Sequence, residues 1–302
     1  MTAPLSGILA PVVTPFTADL LPDADRLVRH CRWLLSQNCG LAVFGTNSEA
    51  NSLSVDEKIV LLDALMAAGL DGMRMMPGTG CCALPDTVRL TAHAVNSGCA
   101  GVLMLPPFYY KGVSDDGLFR SYSEVIQRVG DSRLRIYLYH FPQMSAVPLS
   151  LVLIERLIGA YPDTVVGIKD SSGDWNNTHA MLQRFPGWGV FAGSESRLVD
   201  AMRHGARGCI SATCNINAPA IAHLAAQWRT PEADALQAAC NEVRTIIARF
   251  PMIAALKSTI ARLSGDPEWT RVRPPLMDLT AAQAAELAVD LDRQGFSMPG
   301  LP

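Results

Sequence analysis

The sequence predicts an α/β fold, a (β/α)8 TIM barrel carrying a C-terminal helical extension. Three observations predict it. Short apolar runs alternate with longer helical patterns, eight such runs occur in succession, and after Asn215 only helical patterns remain. Parallel strands need a crossover, which the intervening helices supply, and eight repeats favour closure. An open doubly wound sheet would usually bring a glycine fingerprint after a strand, and no G-x-G-x-x-G or Walker A pattern occurs. No stretch rich in Gly, Ser or Pro divides the chain. Residues 1–216 are therefore expected to form the barrel and 217–302 a helical region packed on it.

In order, the first strand is expected at Gly7 to Val13, with a helix from about Asp23 to Gln37. Leu41 to Phe44 follows, ending in Gly45-Thr46-Asn47-Ser48-Glu49. Ser54 and Glu57 form a capping box, in which the hydroxyl and the carboxylate satisfy free N–H groups at the next helix start. Arg74 to Pro77 is a weak third strand, and Leu84 to Asn96 its helix. Gly101 to Leu105 is the fourth strand, followed by a helix from Leu118 to Val129. Leu134 to Tyr139 is the fifth strand, stopped by Pro142, and Ser150 caps the next helix.

Val165 to Lys169 is the sixth strand, with a helix near Asn177 to Arg184. Gly189 to Ala192 is the seventh, and Ser194 starts a helix to His204. Gly208 to Ala212 is the eighth. The tail reads as helices over Ala218 to Gln227, Glu232 to Arg249 with Thr230 and Pro231 as cap and first residue, Met252 to Leu263, and Thr280 to Arg293.

Composition narrows the function classes. Net charge is −3 and no Lys/Arg run occurs, which argues against nucleic acid as a partner. Charged residues are 18% and hydrophobic residues 49% of the chain, so part of the surface is expected to be covered by another copy. The eight cysteines are scattered, with no C-x-x-C pair, and read as reduced thiols of a cytoplasmic protein. The six histidines show no H-E-x-x-H and no close pair, so no metal and no cofactor is expected. The first residues, Met1 to Phe16, lack a charged start and a long apolar run and are broken by Pro4, Pro11 and Pro15. They do not read as a signal peptide. No run is long enough to span a membrane, which needs about 20 apolar residues.

The chain has only four lysines, at 58, 111, 169 and 257. Only Lys169 ends an expected core strand. Desolvation there disfavours the ammonium form, and a neutral amine is what attacks a carbonyl to give a Schiff base. A plainer account has Lys169 snorkel outward and pair with Asp170. Barrel chemistry gathers at the C-terminal strand ends. Those ends also carry Thr46, Asn47 and Ser48 in a turn suited to a carboxylate, and Tyr139 followed by His140. A lysine, a phenol and a hydroxyl turn together suit carbon–carbon chemistry on a 2-oxo acid. Taken singly, Tyr139 could simply fill the barrel, and His140 and Glu49 suit packing or structural roles better than catalysis.

These motifs, in this order, resemble the dihydrodipicolinate synthase/N-acetylneuraminate lyase family of class I aldolases. The likeness runs from Gly7-Ile8 to Arg273-Pro274-Pro275-Leu276. It rests on Gly45 to Glu49, Pro106 to Tyr110, Leu138 to Pro142, Gly167 to Asp170, Gly193-Ser194-Glu195 and Gly208 to Ala212. The resemblance implies that Lys169 is the Schiff-base lysine and Tyr139 the proton-relaying tyrosine. It implies that Thr46 is the relay hydroxyl and carboxylate binder. It makes Tyr110 a tyrosine that reaches into a neighbour's site, within a homotetramer built as a dimer of dimers. Gly167, Gly193 and Ile210 would line the bound 2-oxo acid.

Two departures bear on the second substrate. The turn is usually Gly-Thr-Thr-Gly-Glu or Gly-Ser-Thr-Gly-Glu in that family, whereas Asn47 and Ser48 stand here. Where the synthase branch has an arginine for an aldehyde's carboxylate, the chain has Met144, and a thioether cannot pair with a carboxylate. The expectation is a lyase that joins or cleaves a pyruvate-type 2-oxo acid and a neutral aldehyde. That aldehyde would be a hydroxylated sugar fragment, whose hydroxyls Asn47, His140 and Gln143 can hydrogen-bond, or an aromatic aldehyde, with Met144 supplying apolar surface. The other account has Met144 point away and another arginine supply the missing charge. The alternatives are a dehydratase for a deoxy-oxo sugar acid, dihydrodipicolinate synthesis itself, and a barrel that binds a small acid without catalysis.

Overall fold

A computed structural model describes residues 5–301, so Pro4 and the residues before it lie outside the description. Seven parallel strands form one curled sheet: β1 Gly7–Ala10, β2 Gly40–Leu41, β3 Val102–Met104, β4 Ile136–His140, β5 Val165–Asp170, β6 Gly189–Ala192 and β7 Gly208–Ile210. Their order is β2-β1-β7-β6-β5-β4-β3, every neighbour parallel. The helices between them are α1 Ala24–Ser36, α2 Val55–Ala67, α3 Leu84–Asn96, α4 Asp115–Val129, the single turn α5 Pro142–Ser145, α6 Leu151–Ala160, α7 Trp175–Arg184 and α8 Leu198–Arg203. After β7 come α9 Cys214–Gln227, α10 Ala233–Ala248, α11 Met252–Ser264 and α12 Ala281–Arg293.

The expected third strand is the one that did not form as such. Residues 75–79 instead make single parallel bridges to both edge strands, Leu41 with Met75 and Gly78 with Leu103. Met76 N–H donates to Leu41 O at 2.8 Å, Gly78 N–H to Val43 O at 2.7 Å, and Leu103 N–H to Pro77 O at 2.8 Å. Pro77 has no N–H to offer, which interrupts any continuous ladder. Gly78 is required by contact, since a Cβ there would lie 2.2 Å from Phe44 O.

Each face of the sheet has its own core, as a period of two demands. Leu138, Ile168 and Val190 face the helices in the large outer core. Leu9, Met76, Leu103, Tyr137, Tyr139, Phe191 and Ile210 fill the inner one. Gly167 makes room for the Tyr137 ring, 2.5 Å from where its Cβ would be.

Helix starts follow the sequence signals. Ser54 and Glu57 form their capping box, as do Thr280 and Gln283, and Ser150 accepts from Leu153 N–H. Two starts differ. Thr230 donates its hydroxyl to Gln227 O at 2.9 Å and so closes the preceding helix, while α10 begins at Ala233. Ser194 caps a short 3-10 turn, Glu195–Arg197, before α8. In α9 the chain kinks at Asn217, two residues before Pro219. All eight cysteines are free, five of them buried. Among the described residues no helix is long and apolar enough to cross a membrane.

Candidate active site

Parallel register places the reactive groups. Tyr139 on β4 is paired with Lys169 on β5, and Lys169 with Phe191 on β6, so Tyr139 and Lys169 share the inner face near the strand ends. Lys169 is 4% exposed. Its Nζ donates to Tyr139 Oη at 3.3 Å and lies 4.4 Å from that ring's centroid. Tyr139 Oη is 3.2 Å from Thr46 Oγ1, which makes a continuous chain of three polar groups.

No carboxylate lies within ion-pair distance of Lys169 among the described residues. The neighbouring Asp170 is turned away, accepting from Thr178 Oγ1 at 2.7 Å, Asn177 Nδ2 at 3.0 Å and Ser172 N–H at 3.0 Å. The snorkelling account of Lys169 is thereby excluded. The amine sits in the wall of a cavity of about 740 Å³, with Thr46, Asn47, Tyr139 and Gly193.

The turn that carries Thr46 is held under strain. Phe44 and Glu49 bracket it with φ of 62° and 56°, a conformation unfavourable for residues with a side chain. Three contacts hold it in place. Thr14 Oγ1 donates to Ser48 O at 2.7 Å, the Glu49 carboxylate accepts from Arg273 N–H at 2.7 Å, and it pairs with Lys257. Glu49 is thus a structural carboxylate, as its place in the sequence suggests.

The remaining expected residues divide. Asn47, Met144 and Gly193 line the cavity, with Met144 61% exposed at its rim. Ser48 does not: it is fully buried and its Oγ accepts from Gly45 N–H at 3.2 Å within its own turn. His140 does not either, because its side chain faces the opposite side of β4 from Tyr139. It is buried, and its Nδ1 accepts from Leu149 N–H at 3.1 Å. Burial holds its pKa below the ordinary imidazole value, against the pull of Asp170. His140 packs, and the hydroxyl-binding role expected of it is not met.

Gln143 is exposed beside the rim and donates its amide to Ser172 O, tying α5 to the turn after β5. Ile210 lies in the inner core and is not in the cavity wall. Tyr110 is 73% exposed, edge-on to Tyr109 with centroids 5.4 Å apart, and it does not line the lysine cavity.

Sequence reasoning missed much of the cavity wall. Phe141 stacks on Tyr139, centroids 5.8 Å apart, and continues the aromatic surface outward. Trp175, Arg197 and Arg244 also line the cavity, as do Pro251 to Ala254 and Pro275 to Met277. The exposed Leu276 and Met277 after two prolines were the one visible signal, because loop apolar residues need a reason to be there.

With this geometry in hand, the comparisons with known proteins agree. The profile of the dihydrodipicolinate synthetase family matches residues 4–294. A protein of Chloroflexus aurantiacus named uncharacterized DapA-like lyase is 32% identical over 95% of this chain and 96% of its own. A 4-hydroxy-tetrahydrodipicolinate synthase of Acidothermus cellulolyticus is 28% identical over 98% of this chain and 94% of its own. Among solved structures, dihydrodipicolinate synthase from Agrobacterium tumefaciens superposes with a TM-score of 0.89 at 30% identity, covering 96% of this chain and 99% of that one. YagE of E. coli K12, solved in complex with pyruvate, gives 0.88 at 25% identity, covering 97% and 100%. The curled parallel sheet and its C-terminal helices are thus those of a Schiff-base aldolase superfamily. The chain belongs to the dihydrodipicolinate synthetase family, at low identity to the named synthases.

Proposed function

We propose that this protein is a Schiff-base-forming lyase that cleaves or builds a carbon–carbon bond next to a pyruvate-type 2-oxo acid. The observation that carries the reading is the chain from Lys169 Nζ to Tyr139 Oη to Thr46 Oγ1, 3.3 Å and 3.2 Å long, at the wall of a cavity. Lys169, as the free amine, attacks the C2 carbonyl. Tyr139 gives its proton to the carbinolamine hydroxyl, which leaves as water, and an iminium remains. That iminium accepts the electron pair of the bond at C3, so a retro-aldol step gives an aldehyde and an enamine. The aldehyde-side hydroxyl must lose its proton as the bond breaks, and the Tyr139 oxygen, held by Thr46 Oγ1, takes it and returns it to C3 of the enamine, after which water frees pyruvate and Lys169. Thr46 Oγ1 and the backbone N–H groups of its turn hold the carboxylate of the 2-oxo acid. Asn47 has no hydroxyl, so no hydroxyl relay runs through that position.

The C-terminal ends of the strands carry the reactive groups, as expected of an eight-position barrel closed by residues 75–79. Residues 1–216 would be the catalytic part, and 217–302 a helical part that completes the cavity wall. Met144 at the rim suits an uncharged reacting end of the aldehyde. Homo-oligomerisation as a dimer of dimers is part of this reading, with the exposed Tyr109 and Tyr110 at a contact between copies. Sedimentation tests that part: a fully active monomer at micromolar concentration argues against it.

Borohydride reduction in the presence of pyruvate, followed by mass spectrometry of peptides, tests the chemistry. The expected result is a 1-carboxyethyl adduct on Lys169, the reduced Schiff base with pyruvate. No adduct, or one on another lysine, overturns the mechanism. Pyruvate release from a panel of hydroxylated 2-oxo acids then separates the aldolase from a dehydratase, which would lose water without releasing pyruvate.

A further inference from the structure

The cavity extends well beyond the three reactive groups, and the wall supplied by the loop after β6 and by α10 is built around a buried charge. Glu195 is fully buried. Its carboxylate accepts from Ser211 Oγ, from Thr213 Oγ1, and from Arg244 Nη1 at 3.0 Å. Arg244 Nη1 is also 3.2 Å from Ser211 Oγ. Two more side chains of α10 bolt the loop in place: Gln237 Nε2 donates to Glu195 O at 2.8 Å and Asn241 Nδ2 to Ser196 O at 3.3 Å.

Burying a carboxylate is costly unless donors surround it. The outward consequence of this construction is a fixed guanidinium in the cavity wall. Only one nitrogen of its fork is engaged, since no protein partner is recorded for Nε or Nη2 among the described residues. Arg197 lines the same cavity, with its carboxylate neighbour Asp200 at 3.6 Å and the Trp175 ring centroid 5.7 Å away. The acids of this cavity are committed in part to their own turns. Asp170 already accepts three hydrogen bonds, and Asp174 caps α7 by accepting from Asn176 N–H. The hydrogen-bonding capacity that Arg244 leaves open is cationic and donor-only.

We infer that this end of the cavity is an anion subsite, in which Arg244 with Arg197 takes a carboxylate on the far end of the second substrate. The inference rests on the Schiff-base reading for which end of the substrate reacts. It also revises the neutral aldehyde expected from Met144: the reacting end is uncharged, and the charge sits at the opposite end, read from β6 and α10 instead of from α5. A guanidinium fork held at one nitrogen is already oriented for a planar carboxylate.

The test uses the full chain and matched aldehydes that differ only at the far end: succinic semialdehyde against butanal, and 4-carboxybenzaldehyde against benzaldehyde, each with pyruvate. Wild type is expected to prefer the acid of a pair by about tenfold or more in kcat/KM. Arg244→Lys keeps the charge beside Glu195 but loses the fork, and Arg197→Gln leaves the buried network untouched. Both are expected to erode the preference through KM, while borohydride trapping of pyruvate on Lys169 is unchanged. Neutral aldehydes used as well as acids by wild type, or a preference intact in both variants, overturns the subsite. If wild type fails to trap pyruvate, the Schiff-base reading falls and calorimetry decides the subsite alone. Tighter binding of 2-oxoadipate than of pyruvate, lost in Arg244→Lys, supports it, and equal binding overturns it.

Discussion

Lys169 and Lys257 are both buried, 4% and 0% exposed, and each ammonium position lies over an aromatic ring, 4.4 Å from the Tyr139 centroid and 4.5 Å from that of Phe16. Their partners differ in kind. Lys257 pairs with the buried Glu49 and donates to Arg271 O at 2.7 Å. Burial still lowers its pKa to about 8, with Glu49 pulling the other way. Lys169 has a phenol as its recorded hydrogen-bond partner and a cavity in front of it. A buried amine with a carboxylate and a carbonyl is held in place. One with only a phenol is left able to react. Burial therefore does not distinguish the two, and partners do. The two lysines are also linked, because the Glu49 that holds Lys257 ends the turn that presents Thr46.

The largest expected effect breaks that comparison most directly. Lys169→Met should lower turnover on the order of 10³-fold or more, because the covalent step is lost. Thermal stability should be unchanged or higher, since a buried amine with no carboxylate partner is replaced by an apolar chain. Activity assays beside thermal melts check this, and a clear loss of stability would make Lys169 a structural lysine after all. Tyr139→Phe keeps the ring that packs on Phe141 and removes only the oxygen between Lys169 and Thr46. The expected loss in kcat is about 10²–10³-fold, the range of a positioned proton-transfer group. Single-turnover measurements should place it in bond cleavage more than in pyruvate binding.

Lys257→Met should do the reverse. It strands the Glu49 carboxylate in the core with Arg273 N–H as its remaining donor, at a cost of about 3–5 kcal/mol. Urea titration reads that loss, and the double variant with Glu49→Gln should recover part of it. Chain that remains folded should still trap pyruvate on Lys169. Equal loss of trapping and of stability would show that the two lysines act as one unit.

This contrast marks what the sequence could tell. The alternation of strands and helices was legible because each strand buries both faces and each helix one. Residues 74–77 were misread as a strand of their own because an apolar pair before Pro77 looks the same whether it makes a ladder or single bridges. Lys169, Tyr139 and Thr46 were legible because strand-end position alone brings them together. Ser48 and His140 were not, because which way a turn residue faces depends on partners such as Gly45 and Leu149. Arg244 was invisible for a different reason. It reaches the cavity from a helix far along the chain, and its pairing with Glu195 is set by tertiary packing alone.

His30 sharpens the comparison with a third buried titratable group, one that lacks a charged partner as Lys169 does but faces no cavity. Its ring is stacked on Trp33 at 5.6 Å and lies edge-on to Trp269 at 5.3 Å. Nε2 is 3.4 Å from Asn215 Oδ1, and Nδ1 has no partner among the described residues. Burial lowers its pKa to about 4 from an ordinary value of 6.5. The folded state thus binds its proton more weakly than the unfolded chain does. Above the ordinary value neither state is protonated and stability is complete. As pH falls from there towards 4 the unfolded chain gains a proton that the fold refuses, and about 3 kcal/mol is lost across that window. His30→Phe keeps an aromatic ring between the tryptophans and removes the titration. The urea midpoint of wild type should drop between pH 7 and pH 4.5, and that of the variant should drop less, with Schiff-base trapping at pH 7 unaffected. A variant as acid-sensitive as wild type would place the titration elsewhere. A variant that no longer traps pyruvate would show that a buried group without a charged partner can serve the site without facing the cavity.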